Sequence, residues 1–287
     1  MIWGQILLNC LLLSALLLLI SLGLNIIYGI SRVVNLAHGS LYALGAYFGY
    51  SMVVNGVSFY LALLLAPIFA GVFGIILERA IIEPIRNRDM IYTLILTYGL
   101  SVFMDGMLKL IWSDKVQFVA MPDVLRGATN LFGIYYPNYR LFVLAAAIAV
   151  IVLLLVLIER TKLGMIMRAA SAIPEMVSSL GINMKLVHIG VFALGCTLAG
   201  IGGVIAAPLL SVYPMMGGEM LLSCFVVLVI GGLGSLRGAV LASLLVGFAQ
   251  TMGFVFLTDF AMVLVYLMMA VILLFMPRGL LAEGKFD

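Results

Sequence analysis

Charged residues are scarce in this 287-residue sequence, and the shortage decides the class of protein. Only 9% of the residues are charged and 65% are hydrophobic, whereas soluble domains carry roughly 25% and 45–50%. Apolar runs long enough to cross about 30 Å of hydrocarbon recur from end to end. These features exclude a soluble domain. They predict an all-α, polytopic membrane protein, with residues 1–287 forming a single transmembrane domain in the lipid bilayer.

Motifs for enzymatic chemistry are also missing. The sequence contains no GxxxxGK[ST] phosphate loop, no GxSxG and no HExxH, so we expect no ATP hydrolysis by the P-loop route on this chain. His38 and His188 are far apart and lack neighbouring carboxylates, and Cys10, Cys196 and Cys224 show no CxxC spacing. We expect no catalytic residue, cofactor or metal site. The basic residues are spread over short loops, which argues against a nucleic-acid partner.

Nine apolar runs predict the membrane helices. They cover residues 5–28, 40–54, 59–77, 90–112, 139–158, 186–210, 221–230, 239–256 and 260–276. The chain starts without a basic region, so we expect the first run to be retained as a helix and not cleaved as a signal peptide. The run at 221–230 is too short for a full crossing, which leaves a count of eight to ten helices.

The positions of lysine and arginine predict the orientation. If the N-terminus is outside and each run crosses once, only four of the 15 basic residues lie outside, namely Lys109, Lys115, Arg126 and Arg140. Basic residues favour the cytoplasmic side of membrane proteins. The N-terminus is therefore expected outside and the C-terminus in the cytoplasm, together with the long polar loop at 159–183.

The 159–183 loop carries signals for a short helix. Pro174 suits a first helical turn, Glu175 suits the positive helix end, and Gly181 suits a stop. Four apolar residues fall on one side at helical spacing: Ile173, Met176, Val177 and Leu180. Because so short a helix is marginal in water, it needs a surface to dock on. The alternative is an ordinary connector lying on the lipid surface.

Several polar residues fall within or beside the apolar runs. Asp105 and Lys109 are four residues apart, so they are expected to pair on one helix face, or else to lie on a solute path. Asn25 suits an interhelical hydrogen bond, the usual role of a lone buried amide. A helix-terminal His38 satisfied by backbone is favoured over a ligand, and Glu219 is expected at the outer surface.

Two glycine-flanked interruptions, at 29–39 and 231–238, indicate a solute path. Non-helical backbone at membrane depth is tolerated only where protein buries it or water lines it. Paired interruptions in the two halves of a transporter mark its binding region. The alternative is two ordinary loops. The residues predicted to border the path are Asn35, His38, Gly39, Tyr42, Gly231, Gly232 and Gly234.

Four segments occur in an order that resembles one known family. They are GLNIIYGISRVVNLAHGSLYALGAY, LERAIIEPIRNRD, RTKLGMIMRAASAIPEMVSSLGIN and VLVIGGLGSLRGAVLASLLVGFAQ. Together they closely resemble the LivH-type permease subunit of branched-chain amino-acid ABC importers, over nearly the whole chain. Two departures are Ser40, where relatives often carry an acidic residue, and Ala172-Ile173-Pro174, which replaces a more polar stretch.

The resemblance implies that the segment from Arg168 to Asn183 is a coupling loop inserted into a cleft on an ATPase subunit. The residues implied in this coupling are Arg168, Ile173, Pro174, Glu175, Met176, Ser178, Ser179, Leu180 and Gly181.

The resemblance also implies an assembly in a bacterial or archaeal cytoplasmic membrane. A second permease, similar or identical, would share the pathway; two ATP-binding subunits would carry ATP and Mg; and a solute-binding protein would act outside. The expected solute is a branched-chain or other neutral amino acid, because the candidate lining offers little uncompensated charge. Urea, short amides and aromatic acids are alternatives within the family. An ATP-independent carrier or channel is the runner-up, and a structural scaffold is disfavoured.

Overall fold

The computed structural model describes residues 2–86, 88–131 and 133–281. Within these ranges the chain forms eleven α-helices and one two-stranded sheet. The helices are α1 (Ile2–Ser31), α2 (His38–Val54), α3 (Phe59–Leu77), α4 (Met90–Trp112), α5 (Asn138–Arg160), α6 (Lys162–Ala172), α7 (Pro174–Ser179), α8 (Met184–Leu210), α9 (Met216–Gly231), α10 (Leu236–Phe256) and α11 (Ala261–Phe275). The all-α, polytopic prediction is confirmed.

Seven helical stretches are long and apolar enough to span a membrane, and they contain α1, α3, α4, α5, α8, α10 and α11. The other two membrane-depth helices are shorter. α2 has 17 residues and α9 has 16, which is about 24–26 Å of helix. The predicted short run at 221–230 is thus a longer helix that starts at Met216. An irregular segment adjoins each of these short helices, at 32–37 before α2 and at 232–235 after α9.

The core forms around α1 and α8. α1 is apolar on all sides, and nearly all of it beyond its first three turns is buried. α8 approaches its neighbours closely because small residues line its contacts. A Cβ on Gly45 of α2 would lie 2.5 Å from the Gly200 Cα, so these two backbones meet only where both residues lack side chains. α8 is therefore an interior helix, as its glycine content predicts.

Both predicted interruptions exist, but they are shorter than expected. α1 continues to Ser31, so the first irregular segment is 32–37, and it starts with Arg32 in the left-handed region (φ 54°). The second irregular segment is 232–235, with Gly232 and Gly234 at positive φ. Gly29, Gly39, Gly231 and Gly238 lie within helices and do not break them. A Cβ on Gly39, Gly231 or Gly238 would overlap a neighbouring backbone, whereas one on Gly29 would make an ordinary contact with Gly234.

The loop between α4 and α5 contains a β-hairpin that was not predicted. β1 (Ala128–Leu131) pairs antiparallel with β2 (Ile134–Pro137). Gly133 takes φ 87° in the turn, and its N–H donates to Asn130 Oδ1 at 2.8 Å. The turn brings the two strands together, and each strand is only four residues long.

The 159–183 segment holds two helices where only one was predicted. α6 begins after Thr161, whose hydroxyl accepts from the Gly164 N–H at 3.1 Å. α7 starts at Pro174 and is followed by Gly181 at φ 82°, so the predicted start and stop of this helix are confirmed. The two short helices form an elbow between α5 and α8.

Candidate solute path and coupling surface

The N-terminal ends of α2 and α9 meet inside the bundle. His38, the first residue of α2, places its Nε2 3.1 Å from the Ile20 carbonyl oxygen of α1. Ile20 lies eleven residues before the end of α1, about 16 Å along that helix. Gly39 packs directly on the backbone of Gly217 in the first turn of α9. From this level α2 runs toward the N-terminal end of α1, and α9 runs toward the C-terminal end.

The first break is sealed by protein contacts. Asn35 accepts from the Ala37 N–H at 3.1 Å through its side chain and from the His38 N–H at 3.2 Å through its carbonyl. The Thr97 hydroxyl of α4 donates to the Val34 carbonyl at 3.3 Å. Asn35, His38 and Tyr42 are at most 2% exposed. The Nε2 of His38 thus meets a backbone carbonyl, as favoured from the sequence, whereas its buried Nδ1 has no hydrogen-bond partner within the described residues. A place for these residues on a solute path stays a prediction.

The second break packs against the last turns of α1. The Asn25 Nδ2 donates to the Ser235 carbonyl at 2.8 Å, which is the interhelical bond expected of this amide. A Cβ on Gly29 would lie in van der Waals contact with Gly234. The N–H groups of Leu280 and Leu281 donate to the last carbonyls of α9 at 2.8 and 3.2 Å. Gly231 and Gly232 are therefore buried under this chain's own backbone, whereas Gly234 is half-buried. The part of all three in a path also stays a prediction.

α4 presents one polar stripe to α2. Thr93, Thr97, Ser101 and Asp105 recur every four residues, and the first three are buried. The Ser40 hydroxyl lies 2.9 Å from the Ser101 hydroxyl and donates to Asp105 Oδ1 at 3.1 Å. Sequence reasoning named Asp105 but missed its two serine neighbours. The four-residue spacing was the signal that could have found Ser101.

The expected ion pair between Asp105 and Lys109 is not formed. Lys109 Nζ instead lies 3.4 Å from Asp114 Oδ1, just beyond the end of α4. Lys109 lies in the last turn of α4 with its side chain partly exposed, and its long stem lets the charged end reach Asp114. Asp105 turns toward α2, where Ser40 supplies a hydrogen bond. The carboxylate therefore depends on a hydroxyl 65 residues away along the chain and not on the adjacent lysine.

The C-terminal end of α8 and the N-terminal end of α9 are joined by a segment tied to the α4–α5 loop. Gln117 and Val212 exchange two backbone hydrogen bonds of 2.8 Å. The Tyr50 hydroxyl donates to Gln117 Oε1 at 2.8 Å. The Tyr213 hydroxyl donates to Glu219 Oε2 at 2.6 Å, and burial together with this carboxylate raises the pKa of Tyr213 to about 12. Glu219 is exposed in this chain, and its expected place at the outer surface stays a prediction.

The predicted coupling helix turns most of its apolar side chains to the outside. Val177 is buried, whereas Ile173, Met176 and Leu180 are 57%, 59% and 71% exposed. The expected stripe is therefore split: one residue anchors α7 and three remain uncovered. Glu175 and the flanking Ser178, Ser179 and Gly181 are also exposed. Arg168, unlike these exposed residues, makes a contact within the chain: its guanidinium donates to the Ile158 carbonyl near the end of α5.

A polar network connects this elbow to the first break. The Arg32 Nη2 donates to the Ser171 carbonyl of α6 at 3.2 Å, and the adjacent Ser31 hydroxyl lies 2.9 Å from His188 Nδ1 of α8. Lys185 pairs with Glu83 at 2.7 Å. These partners are distant in sequence and were not predicted. Of these contacts, the hydrogen bond from Arg32 to Ser171 joins the elbow to the segment that leads into α2.

The chain is thus a multi-pass helical bundle in which two of the shorter helices, α2 and α9, meet at their N-terminal ends. Residues 6–273 match the family model of the branched-chain amino acid transport system permease component. The chain belongs to this family. The predicted relationship and the membrane-transport class are thereby confirmed, and the protein is a multi-pass inner-membrane protein.

Three relatives illustrate the match. The chain is 27% identical to the high-affinity branched-chain amino acid transport system permease protein LivH of Salmonella typhimurium, over 94% of this chain and 92% of that protein. It is 28% identical to the corresponding permease protein BraD of Pseudomonas aeruginosa, with the same coverage. It is also 24% identical to the permease protein LivM of Escherichia coli, over 92% of this chain and 67% of that protein.

A solved structure shares the fold. A chain of PsaBC from Streptococcus pneumoniae in complex with Fab superposes with a TM-score of 0.50 and 14% identity, covering 98% of this chain and 93% of that one. At this identity the likeness concerns the fold alone.

Proposed function

We propose that this chain is the membrane-spanning subunit of an ATP-driven importer for branched-chain or other neutral amino acids. The observation that carries the proposal is the family match over residues 6–273, together with relatives whose described function is branched-chain amino acid transport. The chain acts with a second permease, two ATP-binding subunits that hold ATP and Mg, and an outer solute-binding protein. Its N-terminus is outside and its C-terminus is cytoplasmic.

The exposed residues of α7 support an ATPase partner. Ile173, Met176 and Leu180 lie outside the membrane-spanning helices yet present large apolar side chains. Uncovered apolar patches on polar segments mark interaction surfaces. A carrier that works without ATPases has no use for such a surface. The elbow of α6 and α7 would transmit movement of the ATPases to the permease as a rigid element.

Similarity to two different permease proteins supports a paired permease. The chain is related both to LivH and, more distantly, to LivM. Chains of one fold can assemble around a shared pathway, and the partner is proposed to be a related or identical chain. Urea, short amides and aromatic acids are the alternative solutes.

The proposed path runs beside the meeting point of α2 and α9. Asn35, His38, Gly39 and Tyr42 border it from one break, and Gly231, Gly232 and Gly234 from the other. Since contacts within the chain close these positions, transport would require the first turns of α2 and α9 to separate. Alternating access by movement of helices around a fixed site is a general property of transporters with discontinuous helices.

Co-purification tests the ATPase contact. In Leu180→Asp, a charge replaces an exposed apolar side chain of α7, and we expect ATPase subunits to co-purify at least about tenfold less well, because a buried unpaired charge is costly at an interface. The matched control is Val124→Asp on the outer loop, which is also highly exposed. Equal ATPase recovery from both variants, with uptake unchanged, would contradict the proposal.

A further inference from the structure

Asp105 is a membrane-depth carboxylate without a cation. It lies seven residues before the end of α4, within a stretch that qualifies as a membrane span. The four ion pairs found in the described part of the chain do not include Asp105. Ionised side chains within the membrane are costly, and they mark functional sites with a specific partner.

Two features beside Asp105 stabilise a negative charge on its carboxylate and offset part of the cost of its partial burial. Ser40 donates to Oδ1, and a hydrogen bond to the charged form stabilises it. Ser40 stands in the first turn of α2, whose positive helix end also favours a nearby negative charge. Ser40 is fully buried and Asp105 is not, so the carboxylate is held from one side and reachable from the other.

The donor set fits an ammonium group better than a metal ion. Among residues 2–86, 88–131 and 133–281, no group of three or more His, Cys, Asp or Glu could hold a metal. Calcium and magnesium take six or more oxygen ligands, which one carboxylate and two serines do not supply. An ammonium carries three N–H donors, and a carboxylate is an acceptor-only partner of opposite charge.

We propose that Asp105, held by Ser40, binds the ammonium group of the zwitterionic amino acid during its passage. This inference rests on the proposed function and adds a residue that selects solutes carrying a cationic amine. The site lies beside the meeting point of α2 and α9, because Ser40 directly follows Gly39, which contacts Gly217. A Cβ on Gly218, next to Gly217 in the first turn of α9, would meet nothing within 4 Å.

The test is ATP-dependent leucine uptake by the complete complex in proteoliposomes. The leucine-bound binding protein is supplied at a concentration that does not saturate the complex. Asp105→Asn keeps the volume and an oxygen that accepts from Ser40, but removes the charge. We expect uptake to fall about tenfold or more, the effect of losing one charge-assisted contact. ATPase stimulation by the liganded binding protein should persist, so the ratio of leucine imported to ATP hydrolysed should fall. Asp105→Glu should restore part of the uptake.

The matched control is Asp114→Asn, which removes an exposed carboxylate beyond the end of α4 and should leave uptake unchanged. Ser40→Ala provides a second variant, with an expected loss smaller than that of Asp105→Asn. Uptake by Asp105→Asn within twofold of wild type would overturn the inference, and so would a strict requirement for sodium that the variant abolishes. If the wild-type complex imports no neutral amino acid, the proposed function itself fails, which is a separate result.

Discussion

At the scale of single residues, the bundle depends on positions where a side chain is absent. Gly203 of α8 faces the Tyr42 carbonyl of α2 so closely that a Cβ would overlap it. Gly190, 13 residues earlier on α8, has open space where its own Cβ would stand. Without a hydrophobic driving force between helices in lipid, such close backbone packing supplies much of the association energy. The two glycines therefore differ in what a methyl group would do.

Gly203→Ala should destabilise the protein, whereas Gly190→Ala should not. Overpacking a tight contact costs roughly 1–3 kcal/mol, while alanine improves helix propensity over glycine by about 0.8–1.0 kcal/mol. The measurement is thermal unfolding of the purified protein in mild detergent. We expect a lower midpoint for Gly203→Ala and an unchanged or higher one for Gly190→Ala. Equal midpoints would show that α2 and α8 are not packed as described.

At the scale of elements, the two short helices α2 and α9 distinguish this bundle from a simple set of crossings. α2 and α9 begin at one level and run to opposite surfaces, and only Gly39 and Gly217 allow their first turns to touch. The irregular segment 32–37 leads into α2 and is tied to α6 through Arg32 and Ser171. A movement of the elbow thus has a direct route to the closed end of α2.

Cysteine accessibility tests whether this closed end opens. Asn35→Cys and Tyr42→Cys place thiols at sites that are at most 2% exposed in this conformation. We expect slow labelling by small water-soluble thiol reagents in the resting complex and faster labelling during transport. The native cysteines Cys10, Cys196 and Cys224 are buried, and a variant lacking them is the background. Unchanged, negligible labelling in every nucleotide state would mean that the breaks are structural turns.

At the scale of the whole molecule, the sequence predicted what hydropathy and local signals control. The apolar runs, the interior position of α8, the two breaks, and the start and stop of α7 follow from patterns within one segment. The partner of Asp105 could not be predicted in this way. Helix spacing pointed to Lys109, four residues away, whereas Ser40 reaches Asp105 only once α2 and α4 have packed together. The hairpin and α6 were missed because short elements in polar loops carry weak periodicity. The burial of the predicted path residues also depends on tertiary packing.

The central claim is import of neutral amino acids driven by ATP, and one measurement tests it most directly. The permease would be reconstituted in proteoliposomes with its partner permease, ATPases and binding protein, and radiolabelled leucine uptake followed with ATP, without ATP and with excess unlabelled solutes. The account predicts uptake that requires ATP, is suppressed by neutral amino acids, and is unaffected by phosphate, sulfate or divalent cations. ATP-dependent uptake of a multiply charged ion that excess neutral amino acid leaves unchanged would contradict it.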